Sequence, residues 1–170
     1  MSNKMFTRLK MALYVLILIL AELIQTSVFG SLRLGIIPCV MPVAVSCISV
    51  REGAENGGIF GLAGGCLWAW STHLSYYGAW CIVAMTAVGV LAGLVVERFL
   101  LQGIKTALTI SAGAVILTDG LYTLFSLFSR IAPFYSIFTT FLPGAVISMI
   151  LCLLFYPLTL AVSRIGGSHG

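Results

Sequence analysis

MALYVLILILAELIQTSVF, residues 11–29, is the stretch that decides the fold of this chain. It is almost wholly apolar, and Glu22 is its only acidic or basic side chain. A membrane-spanning helix needs ~20 mostly apolar residues, because the hydrocarbon core of a bilayer is ~30 Å thick. The stretch follows a basic segment at residues 4–10, and no small-residue cleavage site closes it. We therefore interpret it as a first membrane helix and not as a signal peptide.

The rest of the chain has the same apolar character. Of its 170 residues, 60% are hydrophobic and only 8% are charged, whereas a soluble domain carries roughly a quarter of its residues as charged types. So few charges cannot cover a surface against water, which makes lipid the expected solvent. We predict an all-α, polytopic membrane protein whose single transmembrane domain covers residues 1–170.

Six apolar stretches and the distribution of charge predict the topology. We place the spans at about residues 11–29, 34–50, 57–71, 79–96, 106–128 and 136–162. Basic residues accumulate on one predicted side, where they are Lys4, Arg8, Lys10, Arg51, Arg98, Lys105 and Arg164, and only Arg33 and Arg130 fall on the other. By the positive-inside rule, the first set and both termini are cytoplasmic. The net charge of +4 then reflects topology, and we expect no nucleic-acid binding.

The third predicted span carries a stripe of glycines. Gly57, Gly61 and Gly65 recur at every fourth residue and form a smooth face. Because lipid gives helices no hydrophobic reason to associate, close backbone approach and van der Waals contact must hold them together. The stripe predicts tight helix packing, either within this chain or against a helix of a partner protein. Gly89 and Gly93 form a second, weaker small-residue pair on the fourth span.

Glu22 and Asp119 are the two acidic residues well inside predicted spans. A carboxylate in lipid is costly, so it usually faces the bundle interior and often marks function. At ~1.5 Å rise per residue, both lie near the middle of the membrane. One interpretation is a proton-relay or substrate role, provided that their helices touch. The other is a protonated or hydrogen-bonded side chain near Gln25, Thr26 or Thr118.

The segment Arg51-Glu52-Gly53 belongs to a polar loop, residues 51–56, between the second and third spans. Arg51 can cap the carbonyl end of the second helix, and Glu52 or Glu55 can sit at the positive end of the third. Docking of a partner protein is the alternative. Catalytic signatures are absent from the sequence. The only histidines, His73 and His169, fall on opposite predicted sides, and the five cysteines contain no C-x-x-C pair. We expect a non-enzyme without cofactor or metal.

Four segments follow one another along the chain: LIQTSVF (residues 23–29), GIIP (35–38), REG (51–53) before the glycine-spaced helix with FGL (60–62), and VGVLAG (88–93). Together they resemble the rod shape-determining protein MreD family of bacteria. The similarity covers most of the chain, and the order and spacing of the segments carry it. The chain departs from the family pattern at Cys39, where the family often has Asp, and at Trp68-Ala69-Trp70, where the family often has an acidic residue.

The resemblance implies a multi-pass scaffold of the bacterial cytoplasmic membrane within the cell-elongation complex. Its expected partners are an MreC-like bitopic membrane protein and the glycosyltransferase and transpeptidase that build lateral peptidoglycan. The candidate partner-binding residues are then Gly57, Gly61, Gly65, Arg51, Glu52, Gly53, Pro38 and Gln25.

A transport function is the alternative. The substrate-binding subunit of an energy-coupling-factor vitamin transporter is similar in size and hydropathy, and its fold resembles that expected for MreD. Such a protein needs an outward-facing pocket, which His73, Tyr76, Tyr77 and Trp80 could line. Aromatic anchoring at the membrane interface also explains these rings.

Overall fold

The structure is a bundle of α-helices. The computed structural model describes residues 3–29, 39–71, 75–99, 103–120 and 137–165. Within these ranges the chain contains no strand, and its helices are α1 (Asn3–Leu23), α2 (Val40–Ser71), α3 (Ser75–Phe99), α4 (Ile104–Val115) and α5 (Leu142–Ile165). Wider π-helical turns extend α1 over Ile24–Phe29 and α4 over Ile116–Gly120, and a third, Ile137–Phe141, precedes α5.

Three segments of the described chain are long and apolar enough to cross a membrane: Met5–Ser27, Ala79–Phe99 and Leu142–Arg164. The prediction of an all-helical protein with several membrane-spanning helices is confirmed at this level. The number of spans and the side on which the termini lie stay predictions. Pro38, Arg33 and Arg130, together with residues 121–128 of the fifth predicted span, lie outside the described residues.

Helix α2 is folded back on itself at Gly53. Its backbone there is non-helical, with φ 82° and ψ −176°, a conformation that glycine adopts far more readily than other residues. A Cβ built on Gly64 would lie 3.1 Å from Val45 Cγ2 and 3.4 Å from Met41 Cε. In a straight helix, Met41 and Gly64 would stand roughly 35 Å apart. Residues 40–52 and 54–71 are therefore two antiparallel arms, which we call the first and second arms of α2.

The two arms correspond to the second and third predicted spans, but the connection between them differs from the prediction. We expected a polar loop at residues 51–56, whereas the structure has helical residues on both sides of Gly53. The turn is this short because a single left-handed glycine can reverse the chain. The prediction of a loop was wrong in extent and right in position.

The first arm lies at the centre of the bundle. Every residue from Val40 to Val50 is buried, and α2 contacts each of the other four helices. This position explains the composition of the arm, whose apolar and small side chains show no polar face. Ser46 and Ser49 donate hydrogen bonds to the carbonyls of Pro42 and Val45 at 2.7 and 2.8 Å, so their hydroxyl groups are satisfied without water.

The glycine stripe of the second arm packs against α3. A Cβ on Gly65 would lie 2.6 Å from Ile82 Cα, and one on Gly57 would lie 2.5 Å from the carbonyl oxygen of Gly89. At Gly61, the added carbon would collide with the carbonyl oxygen of Met85. The two backbones are thus in direct contact, as small residues allow in membranes. The first of the two interpretations, packing within this chain, accounts for the stripe.

Candidate functional site

The turn of α2 is the meeting point of several charged side chains. We call this set the Gly53 junction, and its members are Lys10 and Tyr14 of α1, Arg51, Glu52 and Gly53 of α2, and Glu97 of α3. Glu52 is at its centre. Its Oε2 lies 2.8 Å from Lys10 Nζ, and its Oε1 accepts a hydrogen bond from the Tyr14 hydroxyl at 2.7 Å. The Lys10 and Glu52 side chains are only 20% and 10% exposed, so the ion pair fastens α1 to α2 in a partly desolvated place.

Glu97 holds the start of the second arm. Its Oε1 accepts a hydrogen bond from the Ala54 N–H at 2.9 Å. The first N–H groups of a helix lack intrahelical partners, and a carboxylate there also interacts well with the helix dipole. We expected Glu52 or Glu55 in this role, and the structure corrects that expectation. The sequence did not point to Glu97, because the position of a charged residue at the end of a span does not indicate which helix lies next to it.

Arg51, Glu52 and Gly53 each contact a different neighbouring helix. Arg51 Cζ lies 5.8 Å from the centroid of the Tyr156 ring of α5, within the range of a cation–π interaction. Glu52 binds α1, as described above. At Gly53, a Cβ would collide with the Glu97 carboxylate of α3. The three residues therefore tie the turn of α2 to three helices at once, and they do not form the exposed loop on which a docking interpretation depends.

A second set of polar groups surrounds the beginning of the first arm. We call it the Cys39 cluster, consisting of Gln25, Cys39, Thr118, Asp119 and Ser148. The Cys39 N–H donates to Ser148 Oγ at 2.9 Å, and the Met41 N–H donates to Gln25 Oε1 at 3.2 Å. A helix that begins away from water needs such partners, because bare N–H groups in an apolar medium are costly. Pro42, in the same first turn, has no N–H to satisfy.

The cluster also brings a carboxyl group to Cys39. The Cys39 thiol lies against the side chains of Asp119 and Thr118. Asp119, in the π-helical turn that extends α4, therefore places a carboxyl group beside Cys39. No sequence pattern could have indicated this pairing, because the two residues are far apart in the chain and approach only in the folded bundle.

Glu22 is different from every other acidic group described so far. Both of its carboxyl oxygens are buried, and neither has a hydrogen-bond partner among the residues that the structure describes. Cys81 of α3 lies within electrostatic range of it, and Cys81 is in turn within range of Cys39. No described contact joins the carboxyl groups of Glu22 and Asp119 directly. Glu22 therefore lacks, among the described residues, the hydrogen bond that one interpretation gave it, and a proton-relay or substrate role stays a prediction.

Two further sets of candidate residues, Gln25 and the glycine stripe, lie inside the bundle. Gln25 is only 6% exposed and bonds to α2, and the glycine stripe faces α3. A partner helix could reach this stripe only by displacing α3, so we expect the partner surface to lie elsewhere on the protein. Pro38 and His73 lie outside the described residues, as do the side chains of Tyr76 and Tyr77. Within the described part of the chain, no group of three His, Cys, Asp or Glu side chains is placed to hold a metal ion.

The outer surface of α3 carries an apolar groove of about 520 Å³. Small side chains, Thr86 and Ala87, lie between the larger Ile82, Val83, Val90 and Leu91. The groove borders the glycine contact, since Ile82 touches Gly65 and Val90 touches Gly58. Comparison with protein-family models, with curated proteins and with solved structures gives no match to this chain.

Proposed function

We propose that this chain is a membrane scaffold of the bacterial cell-elongation complex. It spans the cytoplasmic membrane six times, with both termini in the cytoplasm. It binds an MreC-like bitopic protein and supports lateral peptidoglycan synthesis by a glycosyltransferase and transpeptidase pair. The MreD-like segments of the sequence support this assignment, and the folding back of α2 at Gly53 supports two spans within α2.

The contacts of the Gly53 junction support the resemblance with a physical reason. The REG segment resembles the family pattern, and each of its residues contacts a different helix. Few substitutions are compatible with so many simultaneous contacts, because each of the three residues fits against a different helix. The polar side chains of the junction and of the Cys39 cluster bond one helix to another. A rigid bundle of this kind suits a protein that positions others.

The groove on α3 is the observation that carries the partner hypothesis. It is apolar, lies next to the glycine contact and is lined at its centre by small side chains. A single-pass helix packs best where small residues allow its backbone to approach. We therefore expect the membrane helix of the MreC-like partner to lie along Thr86 and Ala87.

Co-purification tests this hypothesis. The chain is co-expressed with the MreC-like protein of the same organism, and the recovered partner is measured per mole of scaffold. The Ala87→Leu variant fills the groove, and we expect it to reduce recovery at least tenfold. The matched control Ala161→Leu adds the same bulk to an exposed position of α5 and leaves recovery unchanged. Equal recovery by the two variants, with unchanged helical circular dichroism, would exclude the groove as the partner site.

A ligand-binding function is the second candidate, and Glu22 favours it. A buried carboxyl group without a hydrogen-bond partner among the described residues is unusual in a purely architectural bundle. In the substrate-binding subunit of a vitamin transporter, such a group would recognise a polar part of the substrate. A small molecule that co-purifies with wild type and is lost in Glu22→Leu would support transport. The genes beside this one also discriminate, since wall-synthesis genes favour the scaffold and a transporter ATPase favours transport.

A further inference from the structure

A second apolar groove, of about 290 Å³, lies between α3 and α4. Ala92 and Val95 contribute to its wall on α3, and Thr109, Gly113 and Leu117 contribute to its wall on α4. A Cβ built on Gly113 would meet nothing within 4 Å, so the groove is open space beside this residue. It shares Leu91 with the groove proposed for the partner helix but extends from there toward α4, and the inference below does not depend on the proposed function.

The groove is about as long as one leaflet of a membrane. On α3 its lining runs from Val88 to Val95, and on α4 from Thr109 to Leu117. At ~1.5 Å per residue, these segments are roughly 10 and 12 Å long. The hydrocarbon core of a bilayer is ~30 Å thick, so one leaflet contributes ~15 Å. A hydrocarbon chain entering from one membrane surface would fill the groove, whereas a spanning helix would extend far beyond it.

Two cations stand at one end of this groove. Arg98 follows Val95 by three residues and Lys105 precedes Thr109 by four, so helical periodicity puts each cation one turn beyond the groove on the same face. Both side chains are exposed. The ion pair found within the described residues joins Lys10 to Glu52 and involves neither of these cations. Glu97, the acidic residue beside Arg98, bonds to the backbone of α2 instead.

We propose that the α3–α4 groove binds one anionic glycerophospholipid. An acyl chain lies between Ala92 and Gly113, and the phosphate lies between Arg98 and Lys105. Phe99 and Ile104, which are 77% and 45% exposed, rest beside the headgroup at the apolar boundary. The charge at this end argues against a partner helix in the groove. An anionic headgroup pairs with both cations, whereas a helix with basic residues at this end would be repelled by them.

Lipid retention in native mass spectrometry tests the proposal. The purified protein is loaded with phosphatidylglycerol or with phosphatidylcholine of identical acyl chains, and the bound fraction of each is compared. We expect phosphatidylglycerol to be retained preferentially. Each cation near a membrane surface contributes roughly a fivefold preference for an anionic lipid. The double variant Arg98→Gln/Lys105→Gln should therefore lower retention of phosphatidylglycerol by about 30-fold, while Arg164→Gln, a matched loss of an exposed charge on α5, has little effect.

A variant whose side chain fills the groove provides a second test. Gly113→Leu has room for its side chain and should fold normally, yet it should lower retention at least tenfold, while Ala161→Leu does not. Equal retention of the two lipids by wild type would overturn the proposal. Unchanged retention in Gly113→Leu would also overturn it. Release of phosphatidylglycerol by inorganic phosphate at millimolar concentration would overturn it too, because the site would then recognise phosphate without a contribution from the acyl chain. Loss of a co-purified partner helix in Gly113→Leu, with lipid retention unchanged, would assign the groove to that helix.

Discussion

Replacing Gly65 by alanine tests whether backbone contact between the second arm of α2 and α3 holds the bundle together. The new Cβ would lie 2.6 Å from Ile82 Cα, 3.1 Å from the carbonyl oxygen of Cys81 and 3.2 Å from Met85 Cβ. Two of these neighbours are backbone atoms of α3, which cannot rotate away. Because carbon atoms pack best at about 3.5–4.0 Å, α3 would have to move outward by roughly 1 Å.

Two opposing terms set the size of the effect. Overpacking of this kind costs about 1–3 kcal/mol, and a gap of up to about 1 Å along the remaining contact forfeits a quarter to a half of its dispersion energy. Against this, replacing glycine by alanine within a helix stabilises the helix by about 0.5–1 kcal/mol. We expect Gly65→Ala to lower the free energy of unfolding by about 0.5–2 kcal/mol.

The matched control is Gly113→Ala on α4, where a Cβ meets nothing within 4 Å. Only the helix-propensity term acts there, so we expect the free energy of unfolding to rise by about 0.5–1 kcal/mol. Unfolding of both variants is followed by circular dichroism while sodium dodecyl sulfate is titrated into mild-detergent micelles. Opposite signs for the two variants support close backbone packing at Gly65. A stabilisation of both by the same amount would refute it.

Three further variants are measured by the same unfolding assay. Glu52→Gln removes the ion pair with Lys10, and we expect it to lower the free energy of unfolding by about 1.5–3 kcal/mol. The control Glu55→Gln, at an exposed position, should change it by less than ~0.5 kcal/mol. Similar values for the two variants would count against a stabilising role of the Gly53 junction. Gly53→Ala forces alanine into a backbone conformation with positive φ, and we expect it to lower the free energy of unfolding by at least ~1 kcal/mol. An unchanged midpoint of the unfolding titration would contradict the turn at Gly53. Glu22→Leu removes two buried oxygens that lack partners among the described residues, and we expect it to raise the free energy of unfolding by about 1–3 kcal/mol. A decrease would mean that Glu22 has a partner in the folded protein.

The sequence predicted those features of the fold that depend on composition along the chain. Its apolar stretches predicted helices, and the described helices overlap each predicted span. The charge pattern grouped Lys10, Arg51 and Arg98 on one side, and the contacts of the Gly53 junction bring these segments together at one end of the bundle. The glycine spacing predicted close packing and left two possible partners for it. These signals are local, because each depends on neighbouring residues or on helical periodicity.

The candidate site was only partly predictable. Glu52 and Gly53 were singled out, but the carboxylate that holds Ala54 is that of Glu97. Gln25 was noticed as part of a motif, while its task of holding the Met41 N–H required the position of α2. Long-range pairs of this kind cannot be inferred from one sequence, since each depends on which helices are neighbours.

By itself, the sequence predicted that this chain is helical and that several of its segments are apolar enough to cross a membrane. Those properties follow from transfer of apolar side chains out of water, which each segment experiences separately. Only the tertiary structure decided that the first arm of α2 lies at the centre, that Gly57, Gly61 and Gly65 face α3, and that an open groove separates α3 from α4. Lipid and protein interior are equally apolar, so hydrophobicity cannot choose among helix neighbours. Backbone fit at glycines and the pairing of a few buried polar groups make that choice.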